Sequence, residues 1–556
     1  MNEHKSIWQQ LLEKKVSRRS AIQGAVATGI AATLPVQVAK AAANNGAPAE
    51  KVTAKPAQRA PFVSSKVTTA DTITLPRGYS YQILAPWGED LGNGLTVGFN
   101  HDYVGYFPID MLEGGKSSED ALLTINHEYV NPLFLGTTER TAANMEKEKR
   151  SMGVSVVRVK LQNGKWEVVK NDPHNRRIDG LTDIELTGPA AGSAAVKGAT
   201  RVKGTIGNCS GGQTPWGTLL TCEENVDGYT KQWEGTGYEA SHQGWITEID
   251  PFDPQSTPRK HTAMGRFRHE NAAVTVARDG RVVVYMGDDM RDACVYKYVS
   301  KGKYNPQDRK ANLNLLSEGD LYVADFSAGK WLLLDYDRNK GLKDAKKADG
   351  KPMFTSQADI LVDARAAALA IKATPTDRPE DIEIHPLTGE VYIALTNNSV
   401  HGNYFGQIVK LSEQNDDWTS EKFKWEVFAV GGPQSGFSSP DNLVFDPYGN
   451  LWMVTDSGTG EDTIYDFLGN NSMFFFPTEG PNKGKAYRFC TGPVEAEMTG
   501  PVWSPDGKTL FVSIQHPGED TQSLDKPTST FAALPGSNIP RPTLVAIRGF
   551  PGWKEA

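Results

Sequence analysis

Four carboxylates recur at one position of a repeating pattern. Glu270 stands ahead of VTVARDGRVVVYMGDD, Glu380 ahead of IEIHPLTGEVYIALTNN, Asp441 ahead of LVFDPYGNLWMVTDSG and Glu497 ahead of PVWSPDGKTLFVSIQHPG. Cys209 heads a fifth copy, GGQTPWGTLLTCEEN, and Asp102 leads more loosely toward DALLTINHEY. If the copies repeat around one axis, these six residues converge at one end of it. The second apolar run of each copy also ends in polar groups: Asn126-His127-Glu128, Cys222-Glu223-Glu224-Asn225, Gly287-Asp288-Asp289, Thr396-Asn397-Asn398, Thr455-Asp456-Ser457 and Gln515-His516. A ring so rich in carboxylates repels itself unless cations sit within it. Oxygen donors suit Ca²⁺ with six to eight ligands, and a thiolate or imidazole among them suits a transition metal.

Each residue also has a plainer reading. Asp and Asn at strand ends often form turns by bonding their own backbone. Glu is a poor turn former, so Glu270, Glu380 and Glu497 ahead of buried-looking strands call for partners. Cys209, within Gly207-Asn208-Cys209-Ser210-Gly211-Gly212, is either a small core residue or a metal thiolate, and Cys222 before Glu223-Glu224 stands between the same alternatives. Cys294 and Cys490 read as core. His269 is a ligand, a ligand's support or a surface group. In Arg378-Pro379-Glu380-Asp381 a proline fixes the backbone between a guanidinium and a leader carboxylate. That guanidinium either binds phosphate bidentately or forms an internal ion pair with Glu380 or Asp381.

The elements that would position these residues are short strands. With 54 glycines and 33 prolines among 556 residues, runs of four to eight apolar or β-branched residues alternate with Asp-Gly and Pro-x-Gly turns. The leaders lie either roughly 60 residues apart, the length of a four-stranded propeller blade with modest loops, or nearly twice that. The pattern predicts an all-β, six-bladed β-propeller with insertions between strands, one of them at 311–377 carrying ILVDARAAALAIKA. A seventh blade could hide in an insertion. Behind Glu497 one strand is missing, and YSYQILAPW from the N-terminal side can supply it and close the ring. Residues 66–556 are expected to form this single domain, after a flexible lead-in at 42–65.

A net charge of −8 and a pI near 5.8 argue against nucleic acid as a partner. Four cysteines are too few for a disulfide scaffold, although one or two pairs remain possible. Residues 1–41 read as an export leader: Ser17-Arg18-Arg19-Ser20, a weakly apolar stretch to Val38, and an Ala39-Lys40-Ala41 cleavage candidate. A twin arginine before such a stretch resembles a twin-arginine signal. No later stretch has the roughly 20 apolar residues that span a membrane. The expected location is therefore periplasmic or secreted, with the twin-arginine export machinery as a partner and a monomeric product. No P-loop and no G-x-S-x-G elbow is present, so nucleotide hydrolysis and serine-esterase chemistry have no support.

The blocks GNCSGGQTPWGTLLTCEEN, GRFRHENAAV, RPEDIEIHPLTGEVYIALTNN and SSPDNLVFDPYGNLWMVTDSG together resemble the signature segments of PhoX-type alkaline phosphatases, over nearly all of the chain past the leader. The resemblance implies a six-bladed propeller with a cluster of Ca²⁺ and Fe³⁺ that hydrolyses small-molecule phosphate esters outside the cytoplasm. It implies iron ligation by Cys209 and Glu270, with Glu223, Glu224, Glu380, Asp441 and Glu497 as further metal ligands. It also implies that Arg378 contacts phosphate, with Glu380 beside it as a second catalytic residue. The segment between Cys222 and Arg268 is shorter than in familiar members, and Asn271 replaces a small residue. Two other functions fit a propeller with channel carboxylates: a Ca²⁺-dependent lactonase or arylesterase, and a non-catalytic, metal-stiffened envelope protein.

Overall fold

Glycines in the left-handed region punctuate the chain at one recurring place. Gly280, Gly389, Gly449 and Gly507 have φ of 91°, 72°, 82° and 66°, and each closes the tight turn between the first two strands of a four- or five-stranded sheet. The computed structural model describes residues 5–15, 60–458 and 464–553. Six sheets surround one axis. Blade 1 begins with His101–Pro108, blade 2 with Asn208–Gln213, blade 3 with Ala273–Val276, blade 4 with Pro379–Ile384, blade 5 with Pro440–Phe445 and blade 6 with Glu497–Trp503. These innermost strands pack side by side in a closed circuit, blade 6 returning to blade 1.

The N-terminal strand closes the ring as expected. Ser80–Leu84 pairs antiparallel with Thr543–Arg548 as the outermost strand of blade 6. Six blades hold the described strands except two small pairs, Asp90–Gly92 with Leu95–Thr96 and Arg291–Ala293 with Thr376–Asp377, so the described insertions hide no seventh.

Blades bury both faces, which is why their second strands lose the alternation of a half-exposed sheet. Leu219–Glu223, Val391–Leu395 and Leu451–Thr455 are buried at every residue. Between successive blades lies a separate apolar cluster, such as Val283, Tyr285, Ile393 and Val409 between blades 3 and 4, or Trp452, Phe489, Leu510 and Val545 between blades 5 and 6.

Two expectations need correction. The stretch 311–377 is not all insertion: Gly319–Asp325 and Lys330–Leu333 are the outer strands of blade 3. Outside that sheet lie the helices Gln357–Val362 and Ala364–Ala370, whose Ala and Leu side chains pack over the cluster between blades 2 and 3, and Thr376–Asp377, which pairs with Arg291–Ala293. The lead-in does not run free to residue 65 either. Phe62 meets Phe489 edge-on at 5.0 Å, and Ser65 N donates to Arg488 O at 2.9 Å, because the outer strand of blade 5 leaves an aromatic wall to cover. Arg18-Arg19, the cleavage candidate at 39–41 and residues 42–59 of the lead-in lie outside the described residues. No described helix is long and apolar enough to cross a membrane.

Candidate metal centre and active site

A backbone irregularity turns the leaders inward. In blades 1, 2, 4 and 5 the innermost strand carries one extra residue next to the leader, between His101 and Val104, Asn208 and Gly211, Pro379 and Ile382, and Pro440 and Leu443. Blade 3 repeats this with the His269–Asp288 bridge ahead of Glu270. Such a bulge leaves the extra residue unpaired and re-aims its side chain. Two residues ahead of the leader, four of these blades place a left-handed residue: Asn100, Gly207, Arg378 and Ser439, with φ of 46°, 62°, 55° and 46°. Arg378 and Ser439 are non-glycine residues ahead of prolines, where this conformation is costly and is held by its surroundings.

The result is one continuous array of donors. Ligand atoms of Asp102, Glu128 and Cys209 lie within 4.8 Å of one another, as do those of Cys209, Glu224 and Glu270, and those of Glu270, Glu380 and Asp441. Cys209 joins the first two trios and Glu270 the last two. Cys209 Sγ is 3.1 Å from Glu270 Oε2. Burial, and then the neighbouring carboxylates, push Glu224, Glu270, Glu380 and Asp441 well above the usual carboxylate range. Burial and then Asp102 and Glu270 push the Cys209 thiol up as well. Asp102 Oδ1 and Glu224 Oε1 are buried with no hydrogen-bond partner among the described residues. Cations would satisfy both conditions, supplying charge and filling the open lone pairs. The residues therefore fit a cluster of more than one metal ion.

The neighbouring carboxylates Glu223 and Glu224 separate. Glu223 accepts Ile206 N at 3.1 Å, Gly244 N at 2.9 Å and Trp245 N at 3.0 Å, and pairs with fully buried Lys260 at 2.8 Å. Its side chain is spent inside blade 2, and only Glu224 joins the channel array. Glu497 differs from the other leaders too. It pairs directly with Gln515, and its blade's irregularity falls later, between Thr499 and Val502. It stands nearer the mouth, 3.5 Å from His516 Nε2, and burial followed by Asp456 raises its pKa well above the usual range.

Arg378 forms the wall beside the third trio. Its Nε and Nη2 each approach Asp289 at 2.8 Å, Nη2 lies 2.9 Å from Glu380 Oε1, and Nη1 is 3.7 Å from Asp456. Asp381, the other ion-pair candidate, instead accepts Leu443 N at 2.8 Å and ties blade 4 to blade 5. Glu128, Asp289 and Asp456 complete the site. All three end second strands, and that position was the signal for them in the sequence. All four cysteines are free. Cys222 and Cys294 lie in the cluster between blades 2 and 3, Cys490 in that between blades 5 and 6, and His269 stacks on Phe267 at 3.7 Å with Nε2 bonded to Gly265 O.

The family profile "Alkaline phosphatase PhoX" matches residues 60–518. The chain belongs to the PhoX family of alkaline phosphatases. A solved structure described as Pseudomonas fluorescens PhoX in complex with vanadate, a transition state analogue, is 36% identical, with a TM-score of 0.79, over 88% of this chain and 97% of the other. A gluconolactonase from Xanthomonas campestris is similar over 89% of this chain and 97% of its own at 13% identity and a TM-score of 0.31. No curated protein matches. As a PhoX-family enzyme the chain is a phosphomonoesterase whose substrates are small phosphate esters, and its donor array occupies the channel of the propeller.

Proposed function

We propose that this PhoX-family phosphatase acts outside the cytoplasm, after export by the twin-arginine route, as a monomer that hydrolyses phosphomonoesters over a calcium and iron cluster in the channel mouth. The supporting observation is the overlap of three donor trios through one thiol and one carboxylate, with a braced guanidinium on the edge. Cys209 and Glu270 would hold iron, because a thiolate selects a transition metal over calcium. Asp102, Glu128, Glu224, Glu380 and Asp441 would hold calcium, with Glu497 nearer the mouth; Glu223 serves the blade. Bound there, the ions supply Lewis acidity and an activated water.

The chain's own part is positioning and charge. Asp289 occupies two nitrogens of Arg378 in a planar fork and Glu380 braces it from the side, leaving the Nη1 edge turned toward Asp456 and the mouth. That edge binds the non-reacting oxygens of a phosphoryl group and stabilises the charge they carry as the ester bond breaks. The vanadate bound by the P. fluorescens relative is the kind of ligand such an edge would take.

The test is turnover of p-nitrophenyl phosphate by protein loaded with Ca²⁺ and iron. Chelation should abolish it, and Arg378→Ala should lower kcat/KM by about 10²-fold or more, the scale of losing one transition-state donor. Activity unchanged by both treatments would sink the proposal.

A further inference from the structure

Residues 7–15 are helical and lie against the outer wall of the propeller, far in sequence from the strands they touch. Trp8, Leu11, Leu12 and Lys15 share one face at helical spacing. Trp8 is only 1% exposed. It stacks on Trp425 at 4.9 Å and meets Phe326 edge-on at 5.1 Å, while Leu11 and Leu12 pack into the same cluster between blades 3 and 4. Lys15 Nζ donates to Trp425 O at 2.8 Å and lies 4.9 Å over that indole. Gln9 Nε2 donates to His401 O. Ile7, at the start of the helix, is 59% exposed.

The seat exists only once two blades are assembled. Phe326 follows an outer strand of blade 3, and Trp425 belongs to the outermost strand of blade 4. Trp425 Nε1 donates to Phe326 O at 2.9 Å, and Phe423 N to Gly329 O at 2.9 Å, joining the two walls beneath the helix. Residues 7–15 rest on both blades at once, so their order reports docking. We infer that residues 5–15 are a docking segment for the finished wall between blades 3 and 4, ordered only when both blades are in place. Because segment and seat share one chain, docking is intramolecular and outlasts what a free peptide of the same affinity would achieve. None of this depends on the phosphatase reading.

The experiment uses the full chain. Amide exchange over residues 7–15 should be slowed at least tenfold relative to a free peptide of residues 1–20, and Trp8→Ala should restore the peptide's rate. Trypsin cleavage after Lys14 and Lys15 should accelerate at least tenfold in Trp8→Ala, and also in Leu12→Asp, with turnover of p-nitrophenyl phosphate unchanged. Exchange in the intact chain equal to that of the free peptide would overturn the proposal. So would cleavage at one rate in all three proteins.

Discussion

Glu223 receives three backbone N–H groups and the Lys260 ammonium, while Glu224 keeps a buried oxygen with no donor among the described residues. The pair gives a test that activity alone would not. Glu223→Gln leaves Lys260 as an uncompensated buried charge, which costs about 3–5 kcal/mol. It should lower thermal stability strongly while folded molecules retain their metal. Glu224→Gln removes a carboxylate already pushed toward its neutral form, so it should leave metal-free stability nearly unchanged or improved and deplete the bound metal. Calorimetry with elemental analysis of the two variants reads both outcomes. Equal metal loss in both would contradict the division made from their surroundings.

At the scale of elements, one bulge repeated beside the leader in blades 1 to 5 does the aiming, and close backbone approach keeps the innermost strands in place. A Cβ on Gly212 would lie 1.9 Å from Ala272 O, and one on Gly500 would lie 2.7 Å from Asp102 O, so side chains at these points would force the strands apart. The connection after the second strand of blade 1 is held differently. Glu148 on the helix Ala142–Ser151 accepts from Arg140, Thr137 and Trp233 Nε1 at 2.6, 2.9 and 3.0 Å. Burial pushes its pKa up, but these donors more than offset that and hold it below the usual carboxylate value. Because the folded state favours the ionised form, its contribution is full above the ordinary carboxylate pKa of about 4.3 and fades as pH falls through the lower folded value. Amide exchange over 129–151 should therefore accelerate on acidification below about pH 4 in wild type. In Glu148→Gln it should be fast already at pH 7, with no further step from this group.

For the whole molecule, the channel array couples metal to stability. Carboxylates from five blades face one another, so a ligand that binds the native state alone stabilises it by mass action, about 4 kcal/mol at a thousandfold excess over Kd. Chelation should lower the melting temperature by several degrees, and returning metal should restore it. A melting temperature indifferent to chelation would show that the array does not need cations to hold its shape. Removing residues 60–84 should be more damaging, because it strips blade 6 of its outer strand and exposes the edge of Thr543–Arg548.

The local repeat was legible because it depends on near neighbours. Turn glycines, buried strand runs and the inequivalence of Cys209 and Arg378 among the leaders stand in the sequence, and they pointed to six blades, to the closing strand and to carboxylates gathered at one end of the axis. The helical part of 311–377 and the outer strands beside it were not separable, since a short apolar run serves a strand or a buried helix equally well. Which of two adjacent carboxylates enters the channel, and that Arg378 is gripped by Asp289 from another blade, were decided only in three dimensions. A one-residue step along a strand reverses the side chain, and a bulge changes that count. The leaders were therefore set by local sequence, whereas their partners were set by which blade the closed ring places next to them.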